Sequence, residues 1–352
     1  MMTEYANSGN ALGLPAVCTS RRKIFWYFVC RVPKYELYCL GGFSLTVPLV
    51  LPQLVLFLPG DAMKPTLRFS VLVLLFAVAV PSFADDAWFA NTRPGTVAFS
   101  RLTTSGRGAS DWKASTEQEF LETFDSSLPL VIIIHGNWLP LAEAKTKVKA
   151  FYHRSRTIGP HRMLFWSWPS EKINCRLRRD AQIKASRADA QSEFLITFLR
   201  SLPAGSKVSL VGYSFGAKLV CNTLQHYAKR INECPEHNLR IRTVLLAAAM
   251  DRASLQPGRK YGNALEATEK MLVHFNPLDP TLWYYPFLNG LGGPEALGKE
   301  NVNRGGMSAE ASAKIKSVNV SRIIGREHGF MDSLRAFLAC RNDFKTYALF
   351  LE

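Results

Sequence analysis

The chain has 352 residues, of which 47% are hydrophobic and 20% are charged, and its formal net charge is +15. This composition excludes a disordered chain and indicates a large globular domain with a packed core plus an appendage. The excess positive charge could attract an anionic substrate, a polyanion or a membrane surface. No nucleic-acid-binding motif accompanies it, so we expect no nucleic-acid partner.

The N-terminal part contains the pattern of a secretory signal peptide that starts at a second methionine, Met63. Lys64 and Arg68 form its basic region, residues 69–80 form an apolar run, and Ser82-Phe83-Ala84 is a small-x-small cleavage site. The apolar run is shorter than the roughly 20 residues that a membrane-spanning helix needs. We therefore expect a protein that is exported to the periplasm or the extracellular space after cleavage near Ala84.

This pattern divides the chain into an upstream segment (1–62), a signal peptide (63–84) and a mature domain (85–352). The upstream segment shows no clean hydrophobic period. It is either not part of the natural mature protein or an unusual membrane-associated leader. We favour the first interpretation because a complete signal peptide begins at Met63.

Apolar runs and helical periods alternate along the mature domain. Strands are predicted at 96–102, 128–134, 163–168, 207–211, 243–250, 271–275 and 318–324, and helices at 141–154, 178–202, 215–228 and from about 330 to 338. Alternating strands and helices predict an α/β fold with a mostly parallel central sheet and helices on both faces. Ser115 and Gln118 form a plausible capping box for a short helix. Since little sequence remains upstream, we expect the N-terminal strands to be abbreviated.

The mature domain also contains an irregular segment, a basic cluster and four cysteines. Residues 281–308 are rich in glycine and aromatics and predict a lid or pocket wall. Six basic residues cluster on and before the second helix, where we favour a solvated face over a weak electrostatic contact with a membrane or polyanion: Lys172, Arg176, Arg178, Arg179, Lys184 and Arg187. Four cysteines remain in the mature domain, without metal-site spacing: Cys175, Cys221, Cys234 and Cys340.

The strongest chemical signal is Gly212-Tyr213-Ser214-Phe215-Gly216, a G-x-S-x-G motif between a buried strand and a helix. A nucleophile elbow needs this order, because a sharp turn must expose the serine hydroxyl at the helix N-terminus. The two glycines allow neighbouring backbone to come close. We therefore predict that Ser214 is the nucleophile.

A base and an acid should follow the nucleophile in the order serine, acid, histidine. His328 comes after the last predicted strand and is the candidate base. Asp279 and Asp251 each follow a late strand. We favour Asp279 as the orienting acid, whereas Asp251 remains an alternative that could instead cap the segment after it. His135 precedes the oxyanion-hole loop, so we expect a structural role for it.

The remaining candidates lie around the nucleophile. We expect the backbone N–H groups of Asn137 and Phe215 to form the oxyanion hole. The pocket candidates are Trp138, Tyr213, Trp283 and Tyr284, and simple packing is equally compatible with Trp138.

These motifs resemble the α/β-hydrolase superfamily over about residues 128–338. The stretch Phe165-Trp166-Ser167-Trp168-Pro169-Ser170 also resembles a bacterial subgroup with phenylalanine-serine-tryptophan-proline-serine after a strand. The resemblance implies hydrolysis by a serine-histidine-aspartate triad, usually of esters, without a metal or cofactor. The leading hypothesis is therefore a serine hydrolase acting on a carboxylic or lipid ester. The alternative is a non-catalytic binding protein that retains the scaffold.

Overall fold

A computed structural model of the chain describes residues 86–104, 110–173, 176–231, 238–289 and 292–352. The predicted upstream segment and signal peptide lie outside the described residues, as do Cys175 and Cys234. Among the helices of the described residues, none combines the length and apolar composition of a membrane span.

Nine strands form one sheet in the order β3-β2-β1-β5-β4-β6-β7-β8-β9. Their bounds are β1 Ala87–Asn91, β2 Ala98–Thr104, β3 Ser110–Ser115, β4 Leu130–Ile134, β5 Arg162–Ser167, β6 Lys207–Tyr213, β7 Arg240–Leu246, β8 Lys270–Phe275 and β9 Ile315–Asn319. Only β2 runs against its neighbours, pairing antiparallel with β1 and β3, and the pairs from β1 to β9 are parallel. The predicted α/β class with a mostly parallel sheet is confirmed.

The N-terminal edge of the sheet is not abbreviated, contrary to our expectation. Strand β1 pairs with β5 and lies directly after the predicted cleavage site, and β3 adds a third strand beyond β2. The sequence pattern missed both because two of the five residues of β1 are alanines, which are poor strand formers, and because β3 is mostly polar and exposed.

The helices cover both faces of the sheet and connect its strands. Their bounds are α1 Glu117–Glu122, α2 Leu141–Ser155, α3 Leu177–Ser201, α4 Phe215–Ile231, α5 Pro280–Trp283, α6 Ala309–Ala313, α7 Ser321–Ile324, α8 Phe330–Ala339 and α9 Arg341–Asp343. Short 3₁₀ turns span Gly262–Leu265 and Tyr285–Asn289, and a π turn spans Phe344–Ala348.

Two local predictions are corrected. The run predicted as one strand at 318–324 contains the end of β9 and then the helical turn α7, since Val320 starts a turn instead of continuing the ladder. Helix α1 is capped by the hydroxyl of Thr116, which accepts from the Glu119 N–H, whereas the Ser115 hydroxyl donates to the Glu119 carboxylate.

The predicted excursion at 281–308 divides into two parts. Helix α5 and the 3₁₀ turn after it form a wall at the carboxyl end of the sheet. The later part returns to the loop after β7, where the N–H groups of Leu297 and Gly298 donate to the carbonyls of Met250 and Ala248. Only the first part borders the site described next.

Candidate active site

The predicted elbow lies between β6 and α4. Ser214 has a φ of 53°, a left-handed conformation that is rare for a residue with a side chain and marks local strain. A Cβ on Gly212 would lie 2.6 Å from the Ala217 Cα, and one on Gly216 would lie 2.4 Å from the Ile134 carbonyl oxygen. Both glycines are therefore required by the close backbone approach, as the motif predicted.

A third glycine, Gly136, brings the loop after β4 against the nucleophile. A Cβ at this position would lie 2.8 Å from the Ser214 Cβ and 2.9 Å from the Tyr213 ring. The absence of a side chain thus allows the backbone of this loop to pass directly beside Ser214.

His328 and Asp279 complete a hydrogen-bonded line that starts at Ser214. The His328 Nε2 lies 3.4 Å from the Ser214 Oγ, and the His328 Nδ1 lies 2.5 Å from the Asp279 Oδ2. The other Asp279 oxygen accepts from the Thr281 and Leu282 N–H groups at 2.9 and 3.0 Å. Asp279 is 1% exposed, so it is fixed both as the cap of α5 and as the partner of His328.

Tyr213 supports the histidine from the side. Its hydroxyl donates to the His328 carbonyl at 2.8 Å, and the two ring centroids are 5.3 Å apart. Burial, together with the carboxylates of Asp279 and Asp332, raises the pKa of Tyr213. Tyr213 therefore remains a hydrogen-bond donor and holds the His328 backbone.

Asp251, the alternative acid, has a local structural role. Its Oδ1 accepts from the Ala253 N–H at 2.8 Å, and its carbonyl accepts from the Ser254 N–H and hydroxyl. Its backbone also forms an isolated bridge with Ala296. Asp251 caps the turn that follows β7, whereas the contact with His328 is made by Asp279.

His135 is fully buried, in agreement with its expected structural role. The Trp168 N–H donates to its Nε2 at 3.2 Å, so Nδ1 must carry the proton, which it donates to the Gly136 carbonyl at 2.8 Å. Burial lowers the pKa of His135 to about 3, which keeps the ring neutral. Its carbonyl accepts from the Trp168 indole N–H at 2.7 Å, tying the loop after β4 to the end of β5.

The strand-end motif after β5 holds the same loop. The Ser170 carbonyl accepts from the Trp138 N–H at 2.8 Å. Arg93, which follows β1, donates to the Ser167 hydroxyl and, at 3.0 Å, to the Leu139 carbonyl. Arg93 could not be predicted from the sequence, because these partners are 46 to 74 positions away and leave no local pattern.

Trp138 has a φ of 56° and anchors its indole N–H on the Asp180 carboxylate. Asp180 also accepts from Lys184 Nζ at 2.8 Å, and both side chains are buried. Burial raises the pKa of Asp180, but the hydrogen bonds from Lys184, Trp138 and the Ile173 N–H lower it by more, so the net shift is downward. The expectation that Lys184 belongs to a solvated basic face is therefore wrong, and the i,i+4 spacing with Asp180 was the available signal.

A cavity of about 800 Å³ opens over the residues on either side of Ser214. Tyr213, Phe215, Gly136, Asn137 and His328 border its inner end. The described residues that form its outer part are mostly apolar, with two basic side chains: Trp138, Leu139, Lys147, Leu177, Arg178, Ala181, Ala249, Pro280, Thr281, Leu282, Tyr284, Tyr285, Phe287, Leu288, Gly329 and Phe330. Of the predicted pocket candidates, Trp283 instead packs edge-to-face on Tyr284, with ring centroids 5.1 Å apart.

One cluster of metal-type ligands is formed by β8 and the C-terminal helices α8 and α9. Among the described residues, the ligand atoms of His274, Cys340 and Asp343 lie within 4.8 Å of one another. The Asp343 carboxylate already pairs with Lys316 Nζ at 2.6 Å. Cys340 and Cys221 are both free thiols.

The parallel sheet, the strained serine between β6 and α4, and the loop beside it define an α/β hydrolase. A sequence model of the family described as "alpha/beta hydrolase of unknown function (DUF900)" matches residues 113–291, half of the chain, and the chain belongs to this family. A comparison with curated protein sequences gives no match.

Solved structures that resemble the chain include several esterases. The carboxylesterase EstE1 from a metagenomic library has 12% identity and a TM-score of 0.35, covering 82% of this chain and 96% of its own. An esterase of Pyrobaculum calidifontis has 14% identity and a TM-score of 0.34, with 80% and 91% covered. A cutinase-like protein from a Cryptococcus species has 10% identity and a TM-score of 0.32, with 62% and 93% covered.

Proposed function

We propose that the protein is a serine hydrolase that cleaves a carboxylic or lipid ester through an acyl-enzyme on Ser214. The observation that carries this proposal is the hydrogen-bonded line from the Ser214 Oγ through the His328 ring to the Asp279 carboxylate. Membership of an α/β-hydrolase family supports the reaction class. The mostly apolar cavity, which borders Tyr213, Phe215 and His328, supports an acyl ester as substrate.

In the first half-reaction, the Ser214 Oγ attacks the ester carbonyl carbon while His328 Nε2 accepts the hydroxyl proton. The carbon–oxygen bond to the alcohol then breaks, and His328 returns the proton to the leaving alkoxide. Asp279 keeps the proton of His328 on Nδ1 and stabilises the charged ring. In the second half-reaction, His328 Nε2 takes a proton from water, whose oxygen attacks the acyl carbon. The bond from this carbon to the Ser214 Oγ then breaks, and His328 returns the proton to the Oγ, so that the acid leaves and the serine hydroxyl is restored.

The negative charge on the carbonyl oxygen needs two hydrogen-bond donors, for which we propose the N–H groups of Phe215 and Asn137. Phe215 is the first residue of α4, and the first N–H groups of a helix have no acceptor within it. Asn137 follows Gly136, whose backbone passes beside Ser214. The bonds from Trp138 to Ser170 and from Arg93 to Leu139 fix the residues just beyond Asn137.

We also propose that residues 85–352 are the mature enzyme and that it acts outside the cytoplasm. The sequence that supports this is the signal pattern from Met63 to Ala84. N-terminal sequencing of exported protein is expected to begin at Asp85, and a different first residue would refute the cleavage site.

The proposal is tested with the mature protein on aryl esters of increasing acyl length. Ser214→Ala is expected to lower kcat by about 10⁴-fold or more, because the acyl-enzyme cannot form. Ser209→Ala, on the preceding strand β6, is the matched control, since its buried hydroxyl has no hydrogen-bond partner and its loss should leave kcat unchanged. A folded protein without Ser214-dependent hydrolysis of any ester would favour a binding role instead.

A further inference from the structure

Exposed apolar side chains are concentrated around the cavity mouth. Of the eight large hydrophobic residues that are exposed in the described chain, five lie there: Trp138, Leu177, Trp283, Tyr284 and Phe287. Four of these line the cavity, and Trp283 packs against Tyr284. We call these five residues the apolar rim. Exposed apolar patches around an opening are typical of surfaces that meet a lipid or protein partner.

The apolar rim is bordered by positive charge. Residues 172–179 include no Asp or Glu, and four basic residues of this segment are exposed: Lys172, Arg176, Arg178 and Arg179. We call these four the basic segment. The cavity lining adds Lys147 and contains no acidic side chain among the described residues. Arg178 joins the two features, because its Nε donates to the carbonyl of Leu288 at 3.1 Å, at the end of the wall that carries Trp283, Tyr284 and Phe287.

This combination favours one kind of partner. A soluble polyanion would use the basic segment but would leave the aromatic side chains in water. An anionic bilayer uses both, because Trp, Tyr and Phe are stabilised at the headgroup level while Lys and Arg are attracted to anionic lipids. Four rim residues also line the cavity that borders His328 and both sequence neighbours of Ser214, so a bilayer in this position would present its esters to the cavity.

We propose that the apolar rim and the basic segment dock the protein on an anionic phospholipid bilayer, from which a lipid ester enters the cavity. This inference rests on the proposed esterase function for the identity of the substrate, whereas the docking itself does not require catalysis. Four of the six clustered basic residues thereby acquire a binding role. The buried Lys184 and Arg187, which lies further along α3, are not part of this surface.

The docking is tested by cosedimentation with vesicles, using the mature protein with Ser214→Ala so that no lipid is hydrolysed. Phosphatidylcholine vesicles with phosphatidylglycerol are expected to bind the protein, and the partition should fall as salt is added. Phosphatidylcholine alone should bind it much more weakly.

Paired variants separate the surface from the rest of the protein. Lys172→Gln with Arg179→Gln should lower the partition about 30-fold, since each basic residue near an anionic surface contributes about 1 kcal/mol. Arg200→Gln with Lys229→Gln, at the other ends of α3 and α4, removes the same charge and should have little effect. Trp283→Ser with Tyr284→Ser should also lower the partition, whereas Leu278→Ser with Ile323→Ser should not.

Equal losses in the test and control pairs would overturn the docking surface. Binding to heparin that requires the basic segment but not the apolar rim, without binding to vesicles, would identify a polyanion site and also overturn the proposal. Hydrolysis of a water-soluble aryl ester by the wild-type protein is measured in parallel. Vesicle binding without any ester hydrolysis would support the docking surface and reject the esterase function. Ester hydrolysis without vesicle binding would support the esterase function and reject the docking surface.

Discussion

The two sides of the cavity are built differently. The loop side, residues 135–139 with 167–171, is held by buried polar groups, and His135, Ser167 and Ser170 are fully buried. The wall side, residues 280–289, exposes aromatic rings, and two of its links to α3 are the donations from Arg178 and Gln182 to the Leu288 carbonyl. Fixed polar geometry suits the reacting atoms, whereas an apolar wall suits capture of an acyl chain.

Asp279 is the point where the two sides meet. One of its oxygens caps α5 at the start of the wall, and the other holds the His328 ring. The same carboxylate therefore sets the position of the wall and the orientation of the proposed base. Substitutions on the loop side should therefore change mainly kcat, and substitutions on the wall side should change mainly KM.

The largest effect is expected at this meeting point. Asp279→Asn should lower kcat by about 10⁴-fold, because the amide can still cap α5 but cannot stabilise the charged His328 ring. Asp251→Asn should change kcat by less than about threefold, since an amide oxygen can still accept from the Ala253 N–H. Steady-state kinetics on one aryl ester checks both variants, and circular dichroism checks their folding. Loss of activity in Asp251→Asn alone would reverse the assignment.

A smaller effect is expected from the support of the loop side. Arg93→Met removes the bonds to Ser167 and Leu139, and the resulting displacement of the loop should lower kcat by about tenfold to a hundredfold. KM should change little, because the wall is untouched. Arg101→Met is the matched control, since it breaks a partly exposed pair with Glu119 away from the cavity. A kcat unchanged by Arg93→Met would show that the loop is held without it.

The wall side should respond in KM. Tyr284→Ala is expected to raise KM for long-chain aryl esters about fivefold to tenfold, since part of the apolar contact with the acyl chain is lost. The kcat and the KM for acetate esters should stay close to wild type. Leu278→Ala, which removes an exposed apolar side chain outside the cavity, serves as the control. An equal effect on short and long esters would contradict acyl binding by the wall.

The smallest effect is expected on stability, at His274, a buried histidine outside the candidate active site. Burial lowers the pKa of His274 to about 4, below the unfolded value of about 6.5, so the unfolded chain takes up this proton first as pH falls. The contribution of the neutral His274 ring to the free energy of unfolding is complete above about pH 6.5 and is lost progressively towards pH 4. His274→Leu should therefore flatten the fall of unfolding free energy by up to about 1.4 kcal/mol per pH unit. Denaturation curves at several pH values test this, and a slope that His274→Leu leaves unchanged would contradict it.

Much of the fold could be predicted because the central strands are buried on both faces and appear as apolar runs. Strand β4, for example, is buried along its full length. Strands β1 and β3 could not be predicted, since β1 has alanine at two of its five positions and β3 is mostly polar. Strand β9 and helix α7 were merged because Val318 to Ile324 is apolar at both ends while the chain changes conformation at Val320.

The candidate triad could be placed from the sequence because elbow, acid and base follow strand ends in a fixed order. The groups that hold the loop after β4 could not be predicted in the same way. Arg93, Ser170 and Asp180 act on residues about 30 to 70 positions away, which only the folded sheet brings together. The buried Asp180–Lys184 pair was hidden in a segment whose composition suggested a solvated basic face.

Covalent labelling of Ser214 tests the central claim most directly. The folded mature protein is incubated with a fluorophosphonate, and intact and peptide mass spectrometry locates the adduct. We expect one adduct per chain, on the peptide that contains Ser214. The adduct should be retained in Ser209→Ala and absent from Ser214→Ala. A folded wild-type protein that acquires no adduct, or an adduct that persists in Ser214→Ala, would contradict this expectation.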